Sequence, residues 1–281
     1  MKSSAPRMRL LALDVDGTVL GSDHRVSAAT REAVRAVAGR GVEVVLASSR
    51  GPNGLRPVFS RLGTSGLAVA YQGALVCRLY PARDSDWLEV ISETRLPASA
   101  ARSILASATE RGLSVGWYTA ERWEVSRLDA AVLREAEITG ERPVVSGAPG
   151  ESGQGGETPH KVLCIAGEPG LLEALRELSR NLPPGCAGQF SHENYLEITP
   201  READKAPALA ALSRELGIAR EGVVALGDGE NDAGMLRWAG LGICMGHGPD
   251  SVKEAADWVT ESNDRDGVAA AIERLRERGW L

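Results

Sequence analysis

The apolar positions of this chain fall into two textures. Arg9 to Asp14 (RLLALD) is a continuous apolar run that ends in acid, as expected of a strand buried on both faces of a parallel sheet. Residues 27–39 (SAATREAVRAVAG) have helical spacing, with Ser27 as N-cap and Gly39 at the end. Val42 to Ala47 (VEVVLA) and Leu67 to Tyr71 (LAVAY) supply two more strands. Strand, helix, strand, helix, strand predicts a doubly wound, mostly parallel, Rossmann-like α/β fold. The pattern returns late in the chain. It predicts a helix over 205–216, a strand over 223–226, a helix over 230–239 and a strand over 241–245. Helices over 251–256 and 267–278 close the sequence.

Between these halves Leu88–Glu93, Leu113–Thr119, Arg122–Ser126 and Tyr195–Thr199 alternate apolar and polar residues. Such alternation predicts antiparallel strands with one wet face. Helical segments near 97–111 and 170–181 are interleaved, and the composition of 147–157 (GAPGESGQGGE) predicts a mobile loop. The expected organisation is an α/β core over 1–94 and 191–281, with an α+β insertion over 95–190. No internal repeat is present.

At 281 residues the chain is too long for one small core, which agrees with two domains. A formal net charge of -6 argues against a nucleic-acid partner. It leaves room for a small anionic substrate in a locally positive pocket. None of the four cysteines, Cys77, Cys164, Cys186 and Cys244, forms a CxxC pair, and each is expected to be a small buried side chain. No stretch resembles a signal peptide or reaches the ~18 apolar residues of a membrane span. The expected compartment is cytoplasmic, and the expected state is a monomer or weak homodimer.

Four segments carry chemistry. Asp14-Val15-Asp16-Gly17-Thr18 follows the first strand, where open parallel sheets bind ligands. One carboxylate there can attack phosphorus, and the other can protonate the leaving oxygen and then deprotonate water. Two anions facing an anionic substrate require a divalent cation, and hard oxygen donors select Mg2+. A calcium-loop reading fails, because the twelfth position counted from Asp14 is Arg25 and not glutamate. Gly227-Asp228-Gly229-Glu230-Asn231-Asp232 follows another buried strand, and its Asp228 and Asp232 would complete an oxygen-rich metal site with Asp14. Read alone, that segment is equally a solvated turn that caps a helix. Ser48 follows the second strand and can donate to a phosphoryl oxygen, or simply cap a helix. Lys205 heads a helix and can bind phosphate, although a lone lysine is ordinarily solvated.

In this order the segments DVDGTVL (14–20), VVLASSR (44–50), YQGA (71–74), YLEITPREADKAPAL (195–209) and LGDGENDAGML (226–236) resemble the haloacid dehalogenase-like superfamily. Within it the chain is similar to the Cof-type phosphatases, whose large α/β cap (type IIB) is inserted between the second and third motifs. The resemblance extends through the tail at 244–268 and is weakest in the cap. It implies that Asp14 is the nucleophile and Asp16 the general acid/base. It assigns Ser48, Lys205 and Asn231 to the phosphoryl group. Asp228, the Asp14 carboxylate and the Asp16 carbonyl would hold Mg2+, with Asp232 in the metal shell through water. The substrate would be a small phosphate monoester, for instance a sugar phosphate.

Three positions depart from the family pattern. Ser49 stands where glycine is usual, Gln72 where asparagine is usual, and His247 where asparagine is usual in the late turn. Gln72 and His247 are expected at the rim of the site, with His247 a turn residue rather than a substrate ligand. Cap residues that could select the substrate are Trp117, Tyr118, Arg122, His160, Lys161, His192 and Asn194, while Trp117 or Trp123 is expected to pack in the cap core. Two other functions share these motifs: a sugar phosphomutase, and a non-catalytic phosphate-binding module. A mutase would not release free phosphate, and a decayed binding module would be expected to lack Asp14 or a metal ligand.

Overall fold

The computed structural model describes residues 7–147, 149–150 and 157–281. Most of the glycine-rich stretch 147–157, expected as a loop, lies outside them. In chain order the strands and helices are β1 (Leu10–Leu13), α1 (Ala28–Ala38), β2 (Glu43–Ala47), α2 (Pro52–Leu62), β3 (Gly66–Ala70), β4 (Leu75–Leu79) and β5 (Leu88–Glu93). Then follow α3 (Ala98–Glu110), β6 (Ser114–Tyr118), β7 (Trp123–Val125), α4 (Ala130–Thr139), β8 (Val144–Val145), β9 (Lys161–Ile165), α5 (Leu172–Arg180), β10 (Cys186–His192) and β11 (Tyr195–Pro200). The chain ends with α6 (Lys205–Glu215), β12 (Val223–Gly227), α7 (Ala233–Trp238), β13 (Leu241–Cys244), α8 (Asp250–Lys253), β14 (Trp258–Val259) and α9 (Gly267–Glu277).

These elements form two compact units. The first comprises Met1–Ser49, Leu55–Ile91 and Asp204–Leu281. Its sheet has the order β14-β13-β12-β1-β2-β3-β4-β5. Strands β14 to β3 are mutually parallel, and β4 turns back antiparallel on β3. β1, β12 and β3 are buried along their whole length, which is why their sequences are apolar without alternation. Leu10, Ala12, Val45 and Val223 share one face with Leu209 and Leu212 of α6 and Met235 of α7. α1 packs against α9. As read from the sequence, Ser27 caps α1 by accepting from the Thr30 N–H at 3.1 Å, and Gly39 closes it. Parallel strands place the turns after β1, β2, β3, β12 and β13 on one edge of the sheet, and these turns carry Asp14, Asp16, Ser48, Asp228, Asn231 and Asp232, while Lys205 is brought to them by the head of α6.

The second unit comprises Arg50–Gly54 and Ser92–Ala203. Its sheet has the order β10-β11-β9-β6-β7-β8 and is antiparallel except for the β7–β8 pair. The sequence expectation returned the chain to the core at residue 191. The structure keeps β10 and β11 in the second unit, because β11 pairs with both β9 and β10. One face of this sheet packs Val115, Trp117, Val162 and Leu196 against Ile104 of α3 and Leu175 of α5.

The expectation of a wet face stands at β5, whose residues are exposed or half-buried, and is corrected for the alternating strands inside the second unit. β6, β7, β9 and β11 are buried throughout. The polar residues of the alternating pattern meet partners inside the fold instead of water. Lys161 Nζ stands 3.5 Å from Glu197 Oε2, and Ser114 Oγ donates to Asp129 Oδ2 at 2.5 Å. Asp129 also caps α4, taking the Val132 N–H at 3.0 Å. Tyr118 and Trp123 stack with ring centroids 5.3 Å apart. All four cysteines are free and buried, as expected, and burial pushes the Cys77 and Cys164 thiols up to about 12. No helix among the described residues is long and apolar enough to cross a membrane.

Glu141 is a buried acid within the second unit. Burial pushes its carboxyl up to about 7, Lys161 and Arg50 oppose the rise, and Glu135 adds to it. In the unfolded chain this group ionises near the ordinary 4.5. The folded state therefore holds the proton more tightly, and stability falls as pH rises from about 4.5 to 7. Above pH 7 the folded protein bears the full cost of the buried charge, on the order of 3 kcal/mol. Glu141→Gln should remove this dependence. Thermal midpoints measured from pH 5 to 8 should fall less steeply in the variant than in the wild type, and parallel slopes would refute the assignment.

Candidate active site

The site is built wholly from the first unit. β1 delivers Asp14 with the strand ladder still intact, its N–H donating to Leu226 O of β12 at 2.9 Å. The next residue, Val15, is buried, and Asp16 is exposed and bridges to Leu20. Gly17 adopts φ +85°, and a Cβ there would stand 2.3 Å from Asp228 Oδ2. Glycine is thus required twice, for the left-handed backbone and for the approach of the Asp228 carboxylate. Thr18 follows, buried, and its hydroxyl donates to Asp228 Oδ1 at 2.9 Å. The sequence reading gave Thr18 no role, although a hydroxyl directly after the glycine of an acidic turn was the available signal.

β12 delivers the second acidic turn. The carboxylate of Asp232 folds back on it: Oδ2 accepts the N–H groups of Asp228 at 3.0 Å and Gly229 at 2.9 Å. Its other oxygen accepts from Lys205 Nζ at 2.7 Å, and the same ammonium donates to Asp14 Oδ1 at 2.7 Å. Lys205 is only 1% exposed and Asp14 only 5%, so this is a buried ion cluster. With one oxygen holding two amides and the other holding Lys205, Asp232 is committed to shaping the turn and placing the lysine.

The electrostatics follow from the arrangement. Burial raises the Asp14 pKa well above the ordinary carboxylate value, Asp232 and Asp228 raise it further, and Lys205 pulls against them. Burial and Asp232 likewise raise Asp228, with Thr18 and His247 opposing. For Lys205, burial disfavours the charge, but Asp14 and Asp232 outweigh it and hold the ammonium above the ordinary lysine range. Carboxylate oxygens of Asp14, Asp228 and Asp232 lie within 4.8 Å of one another. Three carboxylates against one ammonium leave two negative charges, which one divalent cation would balance, and the donors are the hard oxygens that suit Mg2+. The donor set therefore fits such an ion.

The other residues singled out from the sequence divide into two groups. Ser48 is buried at the carboxyl end of β2, its N–H donating to Val69 O at 2.9 Å. Asn231 lies in the β12 turn, and its Nδ2 donates to Gln72 Oε1 at 3.1 Å. His247, expected only at the rim, has Nε2 3.4 Å from Asp228 Oδ2. In the second unit, His160 is fully buried with Nε2 2.8 Å from Glu93 Oε2, within a network that includes Arg95 and Glu157. Trp117 lies in the apolar core, as expected for one of the tryptophans, with Nε1 donating to Glu157 O at 3.2 Å. Asn194 closes a turn on Ala166 O at 3.3 Å, His192 meets Tyr195 edge-on, and Arg122 sits in the β6–β7 turn. Of these candidates, Tyr118 and Lys161 share the polar face of that sheet, with the Lys161 ammonium 4.8 Å above the Tyr118 ring.

Known proteins match the chain over most of its length. A family model described as haloacid dehalogenase-like hydrolase covers residues 11–272. The chain is 29% identical to a putative phosphatase of Haemophilus influenzae, over 92% of this chain and 95% of that one. It is 28% identical to a 5-amino-6-(5-phospho-D-ribitylamino)uracil phosphatase of Bacillus subtilis, over 98% of this chain and 96% of that one. Among solved structures, a haloacid dehalogenase-like hydrolase from Bacteroides thetaiotaomicron superposes with a TM-score of 0.85 at 29% identity, covering 96% of this chain and 100% of that one. With nearly all of its first sheet and both acidic turns inside the matched span, the chain belongs to the haloacid dehalogenase-like hydrolases.

Proposed function

We propose that this hydrolase is a Mg2+-dependent phosphatase that cleaves a small phosphate monoester through an aspartyl-phosphate on Asp14. The observation that carries the reading is the buried cluster in which Lys205 sits 2.7 Å from both Asp14 and Asp232, with Asp228 alongside. Its chemistry suits an anionic electrophile. Asp14, Asp228 and the Asp16 carbonyl would hold the ion, with Asp232 behind them. When bound, Mg2+ would draw charge from the phosphoryl oxygens and keep Asp14 ionised against the effect of its burial.

The protein's own groups then divide the work. An Asp14 carboxylate oxygen attacks phosphorus, the Asp14–phosphorus bond forms, and the ester oxygen leaves with the proton of Asp16. Water attacks next and gives its proton to Asp16. The Asp14–phosphorus bond breaks, and inorganic phosphate departs. An ammonium has three N–H donors, so two aspartates do not exhaust Lys205, and a phosphoryl oxygen can accept from it. Ser48 donates a second hydrogen bond to the phosphoryl group, and Asn231 lines the same side. The phosphatase names of the relatives in Haemophilus and Bacillus agree with this chemistry. Small phosphorylated metabolites, sugar phosphates among them, are the proposed substrates.

Asp14→Asn should lower release of phosphate from p-nitrophenyl phosphate by about 10⁶-fold, the scale seen when a nucleophile is deleted. The circular dichroism spectrum should be unchanged, because the substitution is isosteric. Turnover within tenfold of the wild type would reject the covalent route. Asp16→Ala should instead leave a phosphorylated protein detectable by acid-quench labelling, and complete absence of label would reject its assigned role. Treatment with EDTA should abolish phosphate release, and Mg2+ should restore it where Zn2+ alone does not. Full activity after exhaustive chelation would remove the ion from the scheme.

A further inference from the structure

The turn between β3 and β4 carries strained backbone at the site. Tyr71, Gln72 and Gly73 have φ of 50°, 60° and 104°. Two consecutive side-chain-bearing residues in the left-handed region are costly, and Tyr71 is large and buried as well. Such a conformation persists only where the surroundings impose it.

Three contacts do so. The Gln72 N–H donates to Ser48 O at 3.0 Å. Gly73 lies against the main chain of Asp204, where a Cβ would stand 2.4 Å from the carbonyl oxygen. Asn231 Nδ2 donates to Gln72 Oε1 at 3.1 Å. One short turn therefore touches the segment of Ser48, the residue before Lys205, and the acidic turn after β12.

The last contact is the unusual one. In the sheet, β3 and β12 are separated by β1 and β2. At ~4.8 Å per strand their ends lie about 14 Å apart, and the Gln72–Asn231 hydrogen bond links the turns across that gap. Among carboxamides, asparagine tolerates the left-handed region well and glutamine does not. The backbone at position 72 would thus favour asparagine, while the span to Asn231 favours the extra methylene of glutamine.

We propose that Gln72 is a positioning residue of the phosphoryl site. Its carboxamide fixes Asn231, and with it the Asp228–Asp232 turn, relative to the Ser48 turn. The proposal rests on the phosphatase reading of the same site.

The test compares the wild type with Gln72→Asn, Gln72→Ala, Asn231→Ala and the Gln72→Asn/Asn231→Ala pair. The readouts are thermal midpoint, kcat and KM for p-nitrophenyl phosphate with Mg2+, and calorimetric binding of inorganic phosphate. Gln72→Asn should melt at or above the wild-type temperature, because asparagine relieves the backbone. Its kcat should nonetheless fall about tenfold, with weaker phosphate binding, as expected when a supporting hydrogen bond to a ligand-holding segment is lost. The double variant should be no worse than Asn231→Ala alone, because the two residues act as one unit. Wild-type kcat and phosphate binding in Gln72→Asn would overturn the proposal. So would losses that multiply in the double variant, or a Gln72→Ala chain that loses stability while keeping both constants. A wild-type chain that releases no phosphate from any ester would reject the phosphatase reading instead. The coupling is then judged from phosphate binding alone, where non-additivity supports it and additivity overturns it.

Discussion

The ammonium of Lys205, buried between Asp14 and Asp232, is the interaction on which the site depends. A buried lysine is unfavourable unless its charge is met, and here two carboxylates meet it at hydrogen-bond distance. The dependence is mutual. Asp14 is surrounded by other acids and by apolar strands, and without the lysine its burial would be harder to sustain. Deleting one partner of such a cluster typically costs about 3–5 kcal/mol, because the charge left behind is uncompensated. Replacing the whole cluster by apolar side chains would cost far less, so stability alone does not account for it. A constellation of this kind is understandable where the position of a charge matters more than its contribution to folding.

The geometry that brings these groups together is inexpensive. Parallel strands present their carboxyl ends on one edge, so the turns with Asp14, Ser48 and Asp228 are delivered to the same place, and the head of α6 adds Lys205. Close approach is the remaining requirement, and glycine meets it. A Cβ at Gly227 would stand 2.5 Å from Asp232 Cβ, and one at Gly17 would strike the Asp228 carboxylate. Gly17 thus lets two acidic turns from opposite parts of the sequence meet side chain to backbone, and Gly227 makes room for Asp232 to fold back within its own turn. Thr18 then ties the first turn to Asp228, so the carboxylate is oriented by a neighbouring hydroxyl as well as by its own turn.

Much of this was legible in the sequence for a simple reason. Strands buried on both faces are unbroken apolar runs, and acids placed directly after them have nowhere to go except the sheet edge. Asp14, Asp228 and Asp232 are recognisable on that ground, as are α1, α6 and α9 from their spacing. What escaped depends on partners distant in sequence. The Gln72–Asn231 bond joins residues 159 apart, through a backbone conformation that glutamine does not advertise. β11 reads as a half-exposed strand, because its polar residues Glu197 and Thr199 imply water, whereas both are buried and Glu197 meets Lys161. Its membership in the second sheet is decided by β9 and β10, which the alternation of β11 alone cannot name. Lys205 is the intermediate case: as a lone lysine it reads as solvated, and only the surrounding acidic turns make its burial intelligible.

The two units use buried charge in different ways, and the contrast bears on what each can do. In the first, one cation is shared by two carboxylates with a third nearby, which leaves an excess of negative charge at a single point. One divalent ion would balance that excess, and the carboxylates of Asp14, Asp228 and Asp232 lie close enough together to hold it. In the second, Lys161 faces Glu197, and Glu141 lies near Lys161, Glu135 and Arg50 with its carboxyl raised to about 7. There the balance is near neutrality and is met by protonation rather than by an absent ion. Lys161 also stands 4.8 Å above the ring of Tyr118, which stacks on Trp123. Buried charge left over in the first unit calls for an added cation, whereas the buried carboxyl of the second is neutralised by a proton.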